Sequence, residues 1–481
     1  MVPPRQPLGG GAALGLVTFV ALGVLMGPTS ADADLWGHVL FGLDILHSGR
    51  LPAVDPYAFT SDVAWVNHEW LAEAIFALGY RTAGAIGLIA VKLAILCAIV
   101  IVAQRSLERD VRSPFVRDAL IGLLVLSTFA RTGNVRPQLF SVLAFTVLVS
   151  AIRSADREGS RRVYALPVVF ALWANLHGAW ITGLFVLGIW CVLSRASSPG
   201  ARVALFAACG AATLATPYGI GLWQFLHDTV GTSRPEIKDW IPLLALPWPI
   251  VAYECLAPAL GLVAVMKAGR VSIAYAAMLT VLAAATWRIS RVDAFLHCAV
   301  ILLLAPQLDA WLGRTAREEP ATAPPRSRWP AVSAFAMSAA IASRGWIPVT
   351  GSWAPDPVAL SAIQSSGAKR VLTWFDWGEY AIWHLAPEGI RVSMDGRRET
   401  VYSEGTIADH FAFYRATPSQ LDYADRLGAD LVWLPADLPI VPVLQERSWK
   451  IAYRSETSIV LQRSAPRTAD MAKPSVAPRF P

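Results

Sequence analysis

The chain has 481 residues, 55% of them hydrophobic and only 16% charged, with a formal net charge of +6 and a mean hydropathy of +0.46. A soluble globular chain carries about 25% charged residues, so an ordinary soluble enzyme is excluded and the chain reads as a polytopic α-helical membrane protein. Nucleic acid is not the partner, because the arginines are scattered through short loops with no basic stripe or aromatic platform between them. Retention of Lys and Arg on the cytoplasmic side during insertion accounts for them instead.

Apolar runs lie, in chain order, at 11–28, 83–103, 119–135, 137–152, 163–176, 179–194, 203–216, 248–266, 271–287, 293–311 and 331–348. A span needs about 20 apolar residues to cross some 30 Å of hydrocarbon, which predicts about eleven spans. The first run follows Arg5 and reads as an uncleaved anchor rather than a signal peptide. One set of loops is rich in arginine: Arg105 to Arg117, Arg153 to Arg162, Arg195 with Arg202, Lys267 with Arg270, and Arg314 to Arg328. Placing that set inside puts the N-terminus in the cytoplasm and everything after about residue 348 outside. All five cysteines, Cys97, Cys191, Cys209, Cys255 and Cys298, fall in apolar stretches without ligand spacing and read as core fillers.

Residues 1–348 are therefore expected to form the transmembrane domain, with a long first external loop over 29–82 that holds helix-compatible segments at 36–47 and 67–80. A Pro- and charge-rich linker is expected near 312–330. From 349 to 463 strand-like pieces (370–374, 390–394, 430–434) alternate with helix-like ones, the pattern of a small extracytoplasmic α/β domain. Residues 464–481, rich in proline, read as a disordered tail.

This topology gathers the unusual polar residues on the outer side. The first loop carries Asp32, Asp34, His38, Asp55, His68, Glu69 and Glu73, and other outer turns bring Arg131, Arg136, His177, Arg288 and Arg291. Glu254 lies inside a span near its outer end, where an isolated carboxylate is costly. Carboxylates at a membrane surface ringed by arginines and histidines suit a reaction on a phosphate-bearing lipid. A carboxylate can deprotonate a hydroxyl or hold a divalent cation, and guanidinium forks neutralise phosphate.

The stretch Asp32-x-Asp34-x-Trp36-x-His38 after the first span, then Gly42, Gly49, Pro52-x-x-Asp55-Pro56 and Trp65-x-x-His68-Glu69-Trp70-Leu71, resembles the first external loop of the GT-C glycosyltransferase superfamily. The tail, with Asp376-Trp377-Gly378-x-Tyr380 and Asp395-Gly396-Arg397, resembles that of a bacterial branch of the same superfamily. The resemblance implies an enzyme of the bacterial plasma membrane that takes a polyprenyl-phosphate sugar as donor. It implies Asp34 as general base, with Asp32 and Glu69 contacting the hydroxyl or a Mg or Mn ion held by Asp32 and Asp34. His38, Asp55, His68, Arg131, Arg136, His177, Glu254, Arg288 and Arg291 are then the substrate-binding candidates. The adjacent Asp-Glu pair common in better-known branches is replaced by spaced aspartates, which leaves open which aspartate is the base and whether a metal takes part.

Each residue also has an ordinary account. Asp32 could cap the following helix, Asp34 and Glu69 could complement helix dipoles, and the arginines could snorkel to headgroups. The competing class is a transporter or translocase of lipid-linked saccharides. Such proteins often show internal repeats and charges at mid-membrane depth, whereas no repeat is visible and the polar residues collect at one face.

Overall fold

Every apolar run predicted from the sequence contains a helix in the computed structural model, which describes residues 10–313, 329–350, 353–463 and 479–481 apart from 230, 233 and 235. Some of these helices start where the sequence supplies a cap. Ser113, Ser198 and Ser272 each accept a hydrogen bond from the backbone N–H three residues on, with Pro114 and Pro199 at the first helical position.

The chain is a multi-pass helical membrane protein, but eleven full-length spans are not what the helices give. Three are long and apolar enough to cross a bilayer, Trp70–Leu107, Gln138–Glu158 and Trp248–Ala268, and a fourth is added if the bent pair Ser290–Leu303 and Ala305–Leu312 is one span. Five further apolar helices are shorter. The runs are interrupted at particular residues. Thr128, whose hydroxyl bonds the Leu124 carbonyl at 2.8 Å, lies between Pro114–Ser127 and Phe129–Thr132. Pro306, which has no N–H, sits at the start of Ala305–Leu312 after a 64° bend.

The chain forms two compact units: residues 1–29 with 88–345, and residues 30–87 with 346–481. This differs from the sequence reading, which left the first loop with the membrane domain. The loop joins the tail because it completes the tail's sheet and caps its helix. The sheet contains β1 (Arg370–Thr373), β2 (Arg391–Val392), β3 (Leu431–Pro435), β4 (Lys450–Arg454) and β5 (Ser458–Gln462) in the order β2-β1-β3-β5-β4. The strands β2, β1 and β3 run parallel, and β5 and β4 antiparallel. At the β2 edge Phe59 N–H donates to the Val392 carbonyl at 2.9 Å and Val392 N–H to the Tyr57 carbonyl at 3.1 Å. Asp62 accepts from Ser403 N–H (2.7 Å), Ser403 Oγ (2.6 Å) and Thr406 Oγ1 (2.7 Å) at the start of the helix Glu404–Tyr414. The unit's core is the middle of the sheet, where Val371, Leu372, Val432, Trp433 and Val460 are fully buried.

The hairpin β4–β5 was not expected, because β4 is an exposed edge strand with charged ends and little hydrophobic signal. The expected disordered tail and most of the expected linker, 464–478 and 314–328, lie outside the described residues. The last three residues are ordered against the same unit: Phe480 N–H donates to the Ile347 carbonyl at 2.9 Å, and its ring packs 5.3 Å from Trp36 and 5.7 Å from Tyr80.

Candidate active site

In the second unit the helix Leu35–Ser48 begins directly after Asp34. Asp34 occupies the N-cap position, yet its side chain makes no capping bond. Asp32 supplies the local turn, its Oδ1 accepting the Asp34 N–H at 3.1 Å. The Asp34 carboxylate instead faces the Asp395-Gly396-Arg397 turn. A Cβ on Gly396 would lie 2.5 Å from Asp34 Oδ1 and 3.1 Å from Glu379 Oε1, so only glycine lets both carboxyl groups crowd this point. Glu379 stands on the short helix Gly378–Leu385 and is buried, and its Oε2 has no hydrogen-bond partner among the described residues. Burial, and then the charges of Asp34 and Asp395, push its carboxyl well above the usual carboxylate range, so the protonated form is favoured.

The start of the helix Trp70–Leu107 adds the rest of the cluster. Glu69 N–H donates to Asn67 Oδ1 at 3.2 Å, Asn67 Nδ2 donates to Glu73 Oε2 at 2.5 Å, and Glu73 Oε1 lies 3.6 Å from His38 Nδ1. His68 Nε2 is 3.7 Å from Glu69 Oε1. Burial works against the His38 imidazolium, but the hydrogen bond with Glu73 and the charges of Glu69, Glu73 and Asp34 outweigh it and raise its pKa to about 9. A raised folded pKa gives stability that is complete below the ordinary value of about 6.5 and is lost as pH rises through about 9. Thermal denaturation from pH 6 to pH 10 is expected to show a falling Tm across that window in the parent and a flattened profile in His38→Gln. Parallel profiles would remove the assignment.

Asp55 has a different place from the one expected of a substrate ligand. It is buried, accepts Tyr57 N–H (3.1 Å) and Ala58 N–H (3.0 Å), and takes both Arg397 Nη1 (2.8 Å) and Nη2 (3.0 Å). Arg397 also bonds Asp395 through Nε (2.8 Å) and Nη2 (2.7 Å), while the Tyr402 hydroxyl donates to Asp395 at 2.6 Å.

The remaining candidates lie in the helical unit. Arg131 holds Asp293 through Nε (3.1 Å) and Nη2 (2.9 Å) and Asp239 through Nη1 (2.7 Å), so its fork already grips two carboxylates. Arg136 Nη1 is 4.0 Å from Asp239. Arg291 Nη2 is 3.4 Å from His177 Nε2 and its guanidinium lies 5.7 Å from the Trp240 ring, while His177 Nδ1 is 2.7 Å from Ser141 Oγ. Arg131, Arg136, His177 and Arg291 thus share one polar cluster. Arg288 is exposed at the end of the helix Ile273–Arg288. Glu254 is buried on Trp248–Ala268, its Oε2 3.6 Å from His297 Nε2.

Among the described residues no group of three or more His, Cys, Asp or Glu side chains could hold a metal ion. Sequence reasoning passed over Glu379, and it did not count Glu73, Asp395 or Arg397 among the site residues. The available signal was the pair of tail motifs, whose glycines mark close backbone approach.

No family model and no curated protein sequence matches the chain. Solved structures do match its fold. The archaeal oligosaccharyltransferase AglB from Archaeoglobus fulgidus, in complex with an inhibitory peptide and a dolichol-phosphate, superposes with a TM-score of 0.57 at 10% identity, covering 91% of this chain and 72% of that one. ArnT from Cupriavidus metallidurans bound to undecaprenyl phosphate gives 0.54 at 12% identity, covering 95% and 97%, and its apo state gives 0.54 at 13%. At such identities the likeness to AglB and ArnT is one of fold alone.

Proposed function

We propose that the chain is a membrane glycosyltransferase that moves a sugar from a polyprenyl phosphate to a hydroxyl acceptor on the extracytoplasmic side of a bacterial plasma membrane, with Asp34 as general base. The observation that carries this reading is Asp34 itself: a helix-start carboxylate that makes no capping bond and is brought against Glu379 at Gly396, in a fold whose solved counterparts were determined with dolichol-phosphate and undecaprenyl phosphate. In the proposed step the acceptor oxygen forms a bond to the anomeric carbon as its proton passes to Asp34. The bond from that carbon to the phosphate oxygen breaks, and its electron pair leaves on the lipid phosphate.

Protonated Glu379 is a neutral neighbour of Asp34, so it adds no second negative charge beside the base. Asp32 and Glu69 orient the acceptor, and no step is routed through a metal. Mass spectrometry of lipid extracted from the purified chain is expected to find polyprenyl phosphate at near-stoichiometric level. A protein that carries only bulk phospholipid and does not retain added undecaprenyl phosphate would falsify the reading.

A further inference from the structure

The arginines that the sequence reading used only as topology signals do not all lie loose at the surface. In the helical unit a cavity of about 790 Å³ opens between the last turns of Gln138–Glu158 and Trp180–Leu193 and the first turns of Pro199–Ala212 and Ile273–Arg288. Arg153, Arg157, Arg195, Arg202 and Arg270 line it. The carboxylates nearby are already engaged. Asp110 takes Arg153 Nε and Nη2 (3.0 and 3.1 Å) and Arg157 Nη1 (2.9 Å), and Asp156 takes Trp190 Nε1 (3.0 Å) and Ser194 Oγ (2.8 Å).

Arg202 is the residue that a topology signal does not explain. Insertion needs only a positive charge in water or among headgroups, yet Arg202 is 9% exposed, with Nε and Nη1 both buried and without an acceptor among the described residues. Buried guanidinium donors are costly to leave unmade, and no carboxylate beside the cavity is left to take them. Arg195 and Arg270 stand exposed at the rim. A ligand that answers this set carries several acceptor oxygens and negative charge, which is the chemistry of phosphate on a guanidinium fork.

We propose that this cavity is a second, phosphate-binding site, distinct from the acidic cluster, and that it takes the phosphate of an anionic lipid headgroup. Basic pockets between membrane helices hold anionic headgroups, and the apolar walls supplied here by Val192 and Ile273 suit the glycerol and acyl portions of a lipid. The inference does not rest on the transferase reading.

The test is a native mass spectrometry titration of the full chain in neutral detergent with phosphatidylglycerol, phosphatidylcholine and inorganic phosphate. Phosphatidylglycerol is expected to bind in preference to phosphatidylcholine, and Arg202→Ala to weaken it about tenfold or more, the loss of charged hydrogen bonds to phosphate. Arg270→Ala, an exposed change that leaves the packing intact, is expected to weaken it severalfold, and Arg161→Ala, exposed and outside the lining, to leave it unchanged. Inorganic phosphate that competes for the site in an Arg202-dependent way would support phosphate recognition and assign the source to the free ion. Phosphatidylglycerol binding no tighter than phosphatidylcholine with no inorganic phosphate bound, or equal binding by the parent and the Arg202 and Arg270 variants, would overturn the proposal.

Discussion

Asp34→Asn is expected to leave expression and thermal stability close to those of the parent while cutting sugar transfer at least about a hundredfold, the lower end of what a general base contributes. The two effects separate because the Asp34 side chain makes no capping bond. The substitution keeps the shape and removes a helix-terminal charge, worth about 0.3–1 kcal/mol. Measuring turnover and Tm on the same purified variant distinguishes a lost base from a lost fold. A near-native rate moves the role to Asp32, Glu69 or Glu379. If all four carboxyl groups tolerate amide substitution, the transferase reading is abandoned.

The helices were legible because hydropathy is a local property: each apolar run contains a helix, and at some of them a capping serine and a first-position proline stand in the sequence beside it. The span count was not, since it depends on where a run bends or ends, as at the 64° bend between Ser290–Leu303 and Ala305–Leu312, and hydropathy does not record that. Asp34 was legible as an acidic residue just past an apolar run. Its neighbour was hidden. Glu379 fills the open position of the Asp376-Trp377-Gly378-x-Tyr380 motif, and it meets Asp34 because contacts such as the edge pairing at Val392 and the Asp55–Arg397 bonds fold residues 30–87 into the tail unit. A single backbone pairing between segments more than 300 residues apart leaves no periodic trace. The pairing of Asp55 with Arg397 was hidden for the same reason: nothing in the sequence between them marks either as the other's buried partner.

That pairing sets the largest stability effect expected in this chain. The Arg397 guanidinium is 7% exposed, the Asp55 and Asp395 side chains are 0% exposed, and four hydrogen bonds join them. Phe41 and Trp65 close over the guanidinium at 4.7 and 4.6 Å. Burial alone would raise the Asp395 carboxyl, but Arg397 and the Tyr402 hydroxyl hold it below the usual carboxylate range. The stability this supplies is present above about pH 4 and is lost as pH falls below it. Removing the cation strands two buried carboxylates, and breaking a buried pair costs about 3–5 kcal/mol, more than the roughly 0.5–2 kcal/mol of the aromatic contacts. Arg397→Met is therefore expected to unfold the tail unit or lower its Tm by many degrees, and Asp55→Asn to cost less, since it leaves Arg397 paired with Asp395. Arg397→Lys should rescue only part of the loss, because an ammonium cannot fork onto two carboxylates in fixed planes. Denaturant or thermal melts that place Arg397→Met within about 1 kcal/mol of the parent would show that Asp55 and Asp395 find other partners or take up protons at little cost, and Asp55 would then return to the list of groups available to substrate.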